Sequence, residues 1–183
     1  MLESLISSKT RVKLLLRFFL NPERDGYLRA LSGEFGESTN SVRLELNRLE
    51  RAGILTSKAK GNKKIFKTND QHPMYSEMRN MVLKHVGIVH IIENVIDRLG
   101  DVKAVFVTGE LAMGRDSNNI DLILVGQIDE SYLKNLCKKA EKLVKRTITY
   151  LLSDSQNKVP ESALLVWSRE VTDFEADPKS NDD

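Results

Sequence analysis

Thr39, Asn40, Ser41, Arg43, Asn47 and Arg48 fall within ten residues of this chain, and Lys60, Asn62, Lys63 and Lys64 follow within another five. These residue types suit contact with a nucleic-acid duplex. Arginine donates bidentately to guanine, asparagine pairs bidentately with adenine, and lysine meets phosphate without reading sequence. The spacing sorts them. Val42, Leu46 and Leu49 recur at helical period, and Thr39, Asn40, Arg43 and Asn47 lie off that apolar stripe. The same arrangement would also serve a packed helix with a solvated charged face.

These side chains need a scaffold. Residues 7–20 predict a helix, with Val12, Leu15, Leu16 and Phe19 on one face and Leu14 and Phe18 widening it, so deep burial is expected. Asn21-Pro22 ends it, and Arg24-Asp25-Gly26 is turn chemistry. A weaker helix over 27–35 turns Leu28, Leu31 and Phe35 inward despite Gly33. Ser38 is an N-cap for the helix over 39–52, and Gly53 is its stop. Strands over 54–58 and 64–68 then flank a Gly61-Asn62 hairpin tip.

Charge follows the same division. Residues 1–70 carry a net +6 and the remainder −4, within a chain total of +2. Between residues 39 and 67, eight basic side chains face only Glu45 and Glu50. A half-chain asymmetry of this kind suits a polyanionic partner.

Two helices, a short turn and a basic hairpin form an ordered set. The run from Ser38 to Leu55, ending in Leu49-Glu50-Arg51-Ala52-Gly53-Ile54-Leu55, resembles the recognition helix of ArsR- and MarR-type winged helix-turn-helix regulators. The resemblance covers about residues 8–70. It implies that the helix enters the major groove of double-stranded DNA while Lys60, Asn62, Lys63 and Lys64 on the wing meet phosphates or the minor groove. The cysteine–histidine metal clusters of ArsR-type sensors are missing. No cysteine lies in this region, and His72, His85 and His90 are not paired at i, i+4, so no metal and no cofactor are expected.

In the second half, apolar runs over 103–108, 120–125 and 147–152 predict strands, and 131–145 predicts a helix, an α/β alternation. Here Val107-Thr-Gly-Glu-Leu-Ala-Met-Gly114 and Asn118-Asn-Ile-Asp-Leu-Ile-Leu-Val125 resemble the minimal nucleotidyltransferase domain, which is polymerase-β-like. Gly109 and Gly114 match that family's two glycines, and Asp121 its second aspartate. The family uses two or three carboxylates to hold divalent metals that clamp a triphosphate. This sequence departs from the pattern. Glu110 stands at the serine position, Asn119 at the first aspartate and Thr149 at the third acid. One carboxylate is a poor site for a metal pair. The resemblance therefore implies a degenerate domain without catalysis, in which Asp121 also suits a purely hydrogen-bonding role.

Between these units, helices over 75–85 and 88–99 form a connector. Met74, Met78, Met81 and Val82 offer a face for core packing or for a homodimer. With 183 residues, 40% of them hydrophobic, the chain can bury a sizeable core. Its longest apolar stretch, residues 14–20, is broken by Arg17, which excludes a membrane-spanning helix. One cysteine, Cys137, excludes an intramolecular disulfide and a cysteine zinc site. With no signal-peptide pattern at the start, a cytoplasmic location is expected.

The expectation is an α+β protein: a winged helix-turn-helix over 1–70, a connector over 71–87, a small α/β nucleotidyltransferase-like domain over 88–171 and a disordered acidic tail over 172–183. The expected role is a sequence-specific DNA-binding transcriptional regulator, homodimeric, with an inactive C-terminal domain serving assembly or sensing of a small-molecule effector. The alternative is a nucleotidyltransferase that docks its substrate through the winged helix.

Overall fold

The computed structural model describes residues 2–169. The expected acidic tail therefore lies outside the described residues. Among those described, no helix is long and apolar enough to cross a membrane.

A short α1 (Leu2–Leu5) precedes α2 (Lys9–Leu20). Ser8 caps α2 by accepting the Arg11 amide at 3.2 Å, so the helix starts two residues later than its apolar period suggests. Leu14, Leu16, Phe18, Phe19 and Leu20 are all buried, as are Val12 and Leu15, which makes α2 the spine of the core. Each such side chain contributes about 1.5–3 kcal/mol by leaving water.

The turn after α2 leads into β1 (Gly26–Tyr27), which pairs with the later hairpin. Tyr27, expected in a helix, is therefore a strand residue. The cause is non-local: its backbone lies opposite Ile65. α3 (Leu28–Phe35) and α4 (Thr39–Arg51) follow. Ser38 caps α4 by accepting the Ser41 amide at 3.1 Å, and Val42, Leu46 and Leu49 are buried. Glu45 is buried beside them, between Arg11 at 2.7 Å and Arg48 at 2.9 Å. β2 (Leu55–Lys60) and β3 (Lys63–Thr68) pair from Leu55–Thr68 to Lys60–Lys63, so the tip is Gly61-Asn62. The resulting antiparallel sheet has the order β1-β3-β2.

α5 (Tyr75–Val86) crosses to the second half. Met78 and Met81 are half-buried against the core and Val82 is fully buried, so the expected methionine face is largely consumed by packing. The single helix expected over 88–99 is divided. α6 (Ile88–Ile91) runs into a π turn (Ile92–Ile96) and then α7 (Asp97–Leu99). The wider turn brings Val95 and Ile96 inward together behind Ile88 and Ile91.

The second sheet is built from β4 (Val102–Thr108), β5 (Asn119–Gly126), β6 (Thr147–Ser153) and β7 (Leu164–Ser168), in the order β6-β5-β4-β7. β5 and β6 are parallel, joined by the crossover helix α9 (Glu130–Val144), while β4 is antiparallel to both neighbours. A one-turn α8 (Gly109–Ala112) follows β4. β7, unforeseen in the sequence, is an edge. The fold is thus mixed α and β with two separate sheets and one continuous core.

The halves meet where α2 ends. Asn21 Nδ2 donates to the Ala112 carbonyl at 3.1 Å, and Arg24 Nη1 to the Met113 carbonyl at 3.0 Å. Gly114 is buried at φ +75°, and a Cβ there would lie 2.6 Å from the Cα of Arg17. Gly114→Ala should therefore lower the unfolding free energy by about 1–3 kcal/mol. The readout is a lower urea midpoint at unchanged m-value; an unmoved midpoint would show that the joint does not need this approach.

Candidate nucleic-acid interface and the Asp121 site

On α4, burial of Val42, Leu46 and Leu49 leaves Thr39, Asn40, Arg43 and Asn47 exposed. Arg43 has no hydrogen-bond or ion-pair partner among the described residues, and the side-chain amides of Asn40 and Asn47 are likewise unengaged there. Ser41 is less available, because its hydroxyl lies 2.9 Å from the hydroxyl of the cap, Ser38. Arg48 is held by the buried Glu45. The six expected contact residues on this helix therefore divide into four exposed side chains with no partner among the described residues, Thr39, Asn40, Arg43 and Asn47, and two that are occupied, Ser41 and Arg48.

The hairpin divides in the same way. Lys60 and Asn62 are exposed at the tip and make no side-chain bonds among the described residues. Lys63 Nζ lies 4.4 Å from the Tyr27 ring centroid. Lys64 pairs with Glu50 at 2.6 Å. Glu50 also accepts from Ser57 Oγ at 2.5 Å, so it ties the hairpin to the last turn of α4. The hydrogen bonds from Lys64 and Ser57 hold the Glu50 carboxyl below the usual carboxylate range. Lys64 is thus a neutralised cation, unlike Lys60 and Lys63.

Two residues missed in the sequence join this surface. Tyr27 and Arg29, with Leu28, line a shallow groove of about 260 Å³ against Asn62, Lys63 and Lys64. They come to the hairpin tip because β1 pairs with β3, a contact that no local pattern announces. A larger groove of about 590 Å³ on the hairpin mixes Lys58, Lys60 and Lys67 with Glu23, Asp25 and Asp70, so that side has no uniform sign.

The Asp121 site lies at the other sheet. Ile120 and Val144 both border Gly87, which marks the helix-covered face of β5. Strand alternation puts Asp121 on the opposite face. Registers place Thr108 and Thr149 on either side of Asp121. Thr149 Oγ1 donates to Asp121 Oδ1. Gly109 sits at φ +64°, and a Cβ there would collide with Asp121 Oδ2, so glycine allows the backbone to pass the carboxylate. The expected Gly109, Asp121 and Thr149 are therefore brought together.

The remaining acids are engaged elsewhere. Glu110 forms a two-pronged pair with Arg115, at 2.5 and 2.8 Å, and Arg115 holds its carboxyl below the usual range. Asp116 is bound by Arg146 at 2.6 Å. Asn119 is exposed at the start of β5, its backbone N–H donating to Ser117 Oγ at 3.0 Å. Gly114 serves the joint with α2. No group of three or more His, Cys, Asp or Glu side chains among the described residues could hold a metal. A divalent metal pair does not fit this site: Asp121 is a single carboxylate already accepting a hydroxyl, flanked by neutral threonines. No metal-dependent step is derived through it.

No family model and no curated protein sequence matches the chain. Among solved structures, one described as "Crystal structure of a putative nucleotidyltransferase from Sulfolobus solfataricus" is similar to 49% of this chain over 82% of its own length, at 22% identity and a TM-score of 0.34.

Proposed function

We propose that residues 1–70 form a winged helix-turn-helix that binds double-stranded DNA sequence-specifically, and that the protein is a transcriptional regulator. The observation that carries this reading is the exposed set Arg43, Asn40 and Asn47, unpartnered among the described residues, on the face of α4 away from its buried stripe. Side chains so placed enter a major groove when the helix does, and each has the donors or acceptors for a base edge. Lys60 and Lys63 at the hairpin tip, with Arg29 beside them, supply phosphate contacts that fix register and add affinity on any sequence.

In this reading the second half performs no nucleotidyl transfer. Its glycine turn and Asp121 persist as packing and hydrogen-bonding features, and the domain serves assembly or the sensing of a small-molecule effector. The protein acts as a homodimer on paired half-sites.

Arg43→Ala should cost about 1–3 kcal/mol on the best genomic fragment and relax preference at one base position, with little change on random DNA. Equal loss on specific and random duplexes would remove Arg43 from base reading. Lys63→Ala should weaken binding uniformly and lower the slope of log K against log salt by about one. Glu50→Gln should do the opposite, because it releases Lys64; titrations across salt concentrations check both. Finally, the protein should incorporate no labelled nucleotide from any of the four triphosphates with Mg²⁺. Incorporation that disappears in Asp121→Ala would restore the enzyme reading.

A further inference from the structure

Among the described residues the two sheets have four edge strands, and three of them are protected. β1 is two residues long. β2 carries Lys58 and Lys60. The register of β7 against β4 breaks between Val105 and Phe106. Short length, edge lysines and bulges are the usual barriers to pairing between chains. β6 differs. Its seven residues, Thr-Ile-Thr-Tyr-Leu-Leu-Ser, contain no charge, proline or glycine, and its register with β5 is unbroken.

The hydrogen-bonding direction along β6 can be assigned. The Thr147 amide donates inward to the Asn118 carbonyl at 2.9 Å, and the Ile148 amide is met by the Glu141 side chain at 2.8 Å. Backbone groups alternate along a strand, so residues 148, 150 and 152 direct their amides and carbonyls away from β5. Glu141 already satisfies the first of these donors. Among the described residues, the outward pairs left unmet are therefore those of Tyr150 and Leu152.

We infer that β6 is a homodimerisation edge, along which a second copy of this chain pairs antiparallel about a two-fold axis at Leu151. In that register Tyr150 of each copy exchanges amide and carbonyl bonds with Leu152 of the other, and the Glu141 cap on Ile148 stays in place. Leu151, 68% exposed in the single chain, meets its own copy directly. Registers place Leu165, Phe106, Ile123 and Leu151 in one row across the sheet, so the pairing extends a single apolar row through both copies.

Charge favours this occupant and this direction. The edge is bipolar: exposed Lys142 and Lys145 lie beside the start of β6, while at its other end Asp154 is already paired with Lys158 at 2.8 Å and the acidic charge comes from the start of α9. Exposed Asp129 and Glu130 open α9, and Glu130 acts electrostatically on Tyr150. Antiparallel self-pairing sets the basic end of one copy against the acidic end of the other, whereas a parallel partner strand would align like charges.

The test uses the full chain without DNA, so its outcome is separate from that of DNA binding. Light scattering on the eluting protein at tens of micromolar should give twice the chain mass. Leu151→Lys, at an exposed position, should give the monomer mass with an unchanged circular dichroism spectrum and a melting temperature that, unlike the wild type's, does not rise with protein concentration, because two lysines would then face each other. Leu151→Cys should form a disulfide-linked dimer on mild oxidation, since directly opposed antiparallel residues lie within disulfide reach. Thr149→Cys should not, and Cys137 is buried with its thiol pushed up to about 11. A monomeric wild type, a Leu151→Lys dimer, or cross-linking equal at 149 and 151 would overturn the proposal. A dimer that binds no DNA would leave this edge standing and sink the regulator reading; a DNA-binding monomer would do the reverse.

Discussion

Arg17 carries a guanidinium into the core with its side chain 3% exposed, and a buried cation is tolerated only where its donors are met. Burial and the neighbouring Arg24 both work against its charge, and Glu34, at 3.3 Å, works for it. Two further donors reach the carbonyls of Arg24 and Asp25 at 3.2 and 3.1 Å. Those carbonyls belong to the turn that delivers β1 to β3. The path of the turn, the place of β1 and the approach of Tyr27 and Arg29 to the hairpin tip thus share one electrostatic requirement. The backbone of the same arginine is the surface on which Gly114 closes, so the loop between β4 and β5 is also laid against this point.

From that frame the two candidate sites develop opposite characters. On α4 and the hairpin, the carboxylates Glu45 and Glu50 absorb Arg48 and Lys64 and leave Arg43, Lys60 and Lys63 with open valence. Around Asp121 the neighbouring acids are paired with arginines. Arg115 takes Glu110, Arg146 takes Asp116, and Thr149 takes Asp121. A surface with unmet donors suits an anionic partner. A site with a single carboxylate not paired to a cation offers little to a hydrated divalent cation, which needs several anionic oxygens to replace its water.

The elements legible in the sequence are those whose cause is local. The Ser38 cap, the Val42, Leu46 and Leu49 stripe and the Gly61-Asn62 tip stand where period and turn chemistry put them. So do β4, β5, β6 and α9, to within one or two residues. What escaped depends on distant partners. β1 has two residues and no period, and exists because β3 lies beside it. The π turn at Ile92–Ile96 answers the shape of the core and not the helical repeat. Among site residues, types and exposure were readable for Arg43 and the asparagines. Occupancy was not, because Glu45 and Glu50 select Arg48 and Lys64 through pairings visible only in three dimensions.

The joint between the halves sets what the two proposed surfaces can mean for each other. The proposed two-fold axis at Leu151 would relate two copies of α4, and symmetric helices read inverted half-sites. Their separation is then a property of the path from β6 through the sheet to the β4–β5 loop, and through Gly114 to α2 and α4. That path consists of paired strands, a helix whose second half is buried all round, and a glycine with no room for a methyl group. Each link is short and closely packed, so packed interiors, which shift between discrete arrangements more readily than they stretch, would hold the spacing. An effector bound near Gly109 would press on the same loop. In the proposed regulator, its leverage on DNA would come from moving that loop against Arg17, and not from any contact with α4 itself.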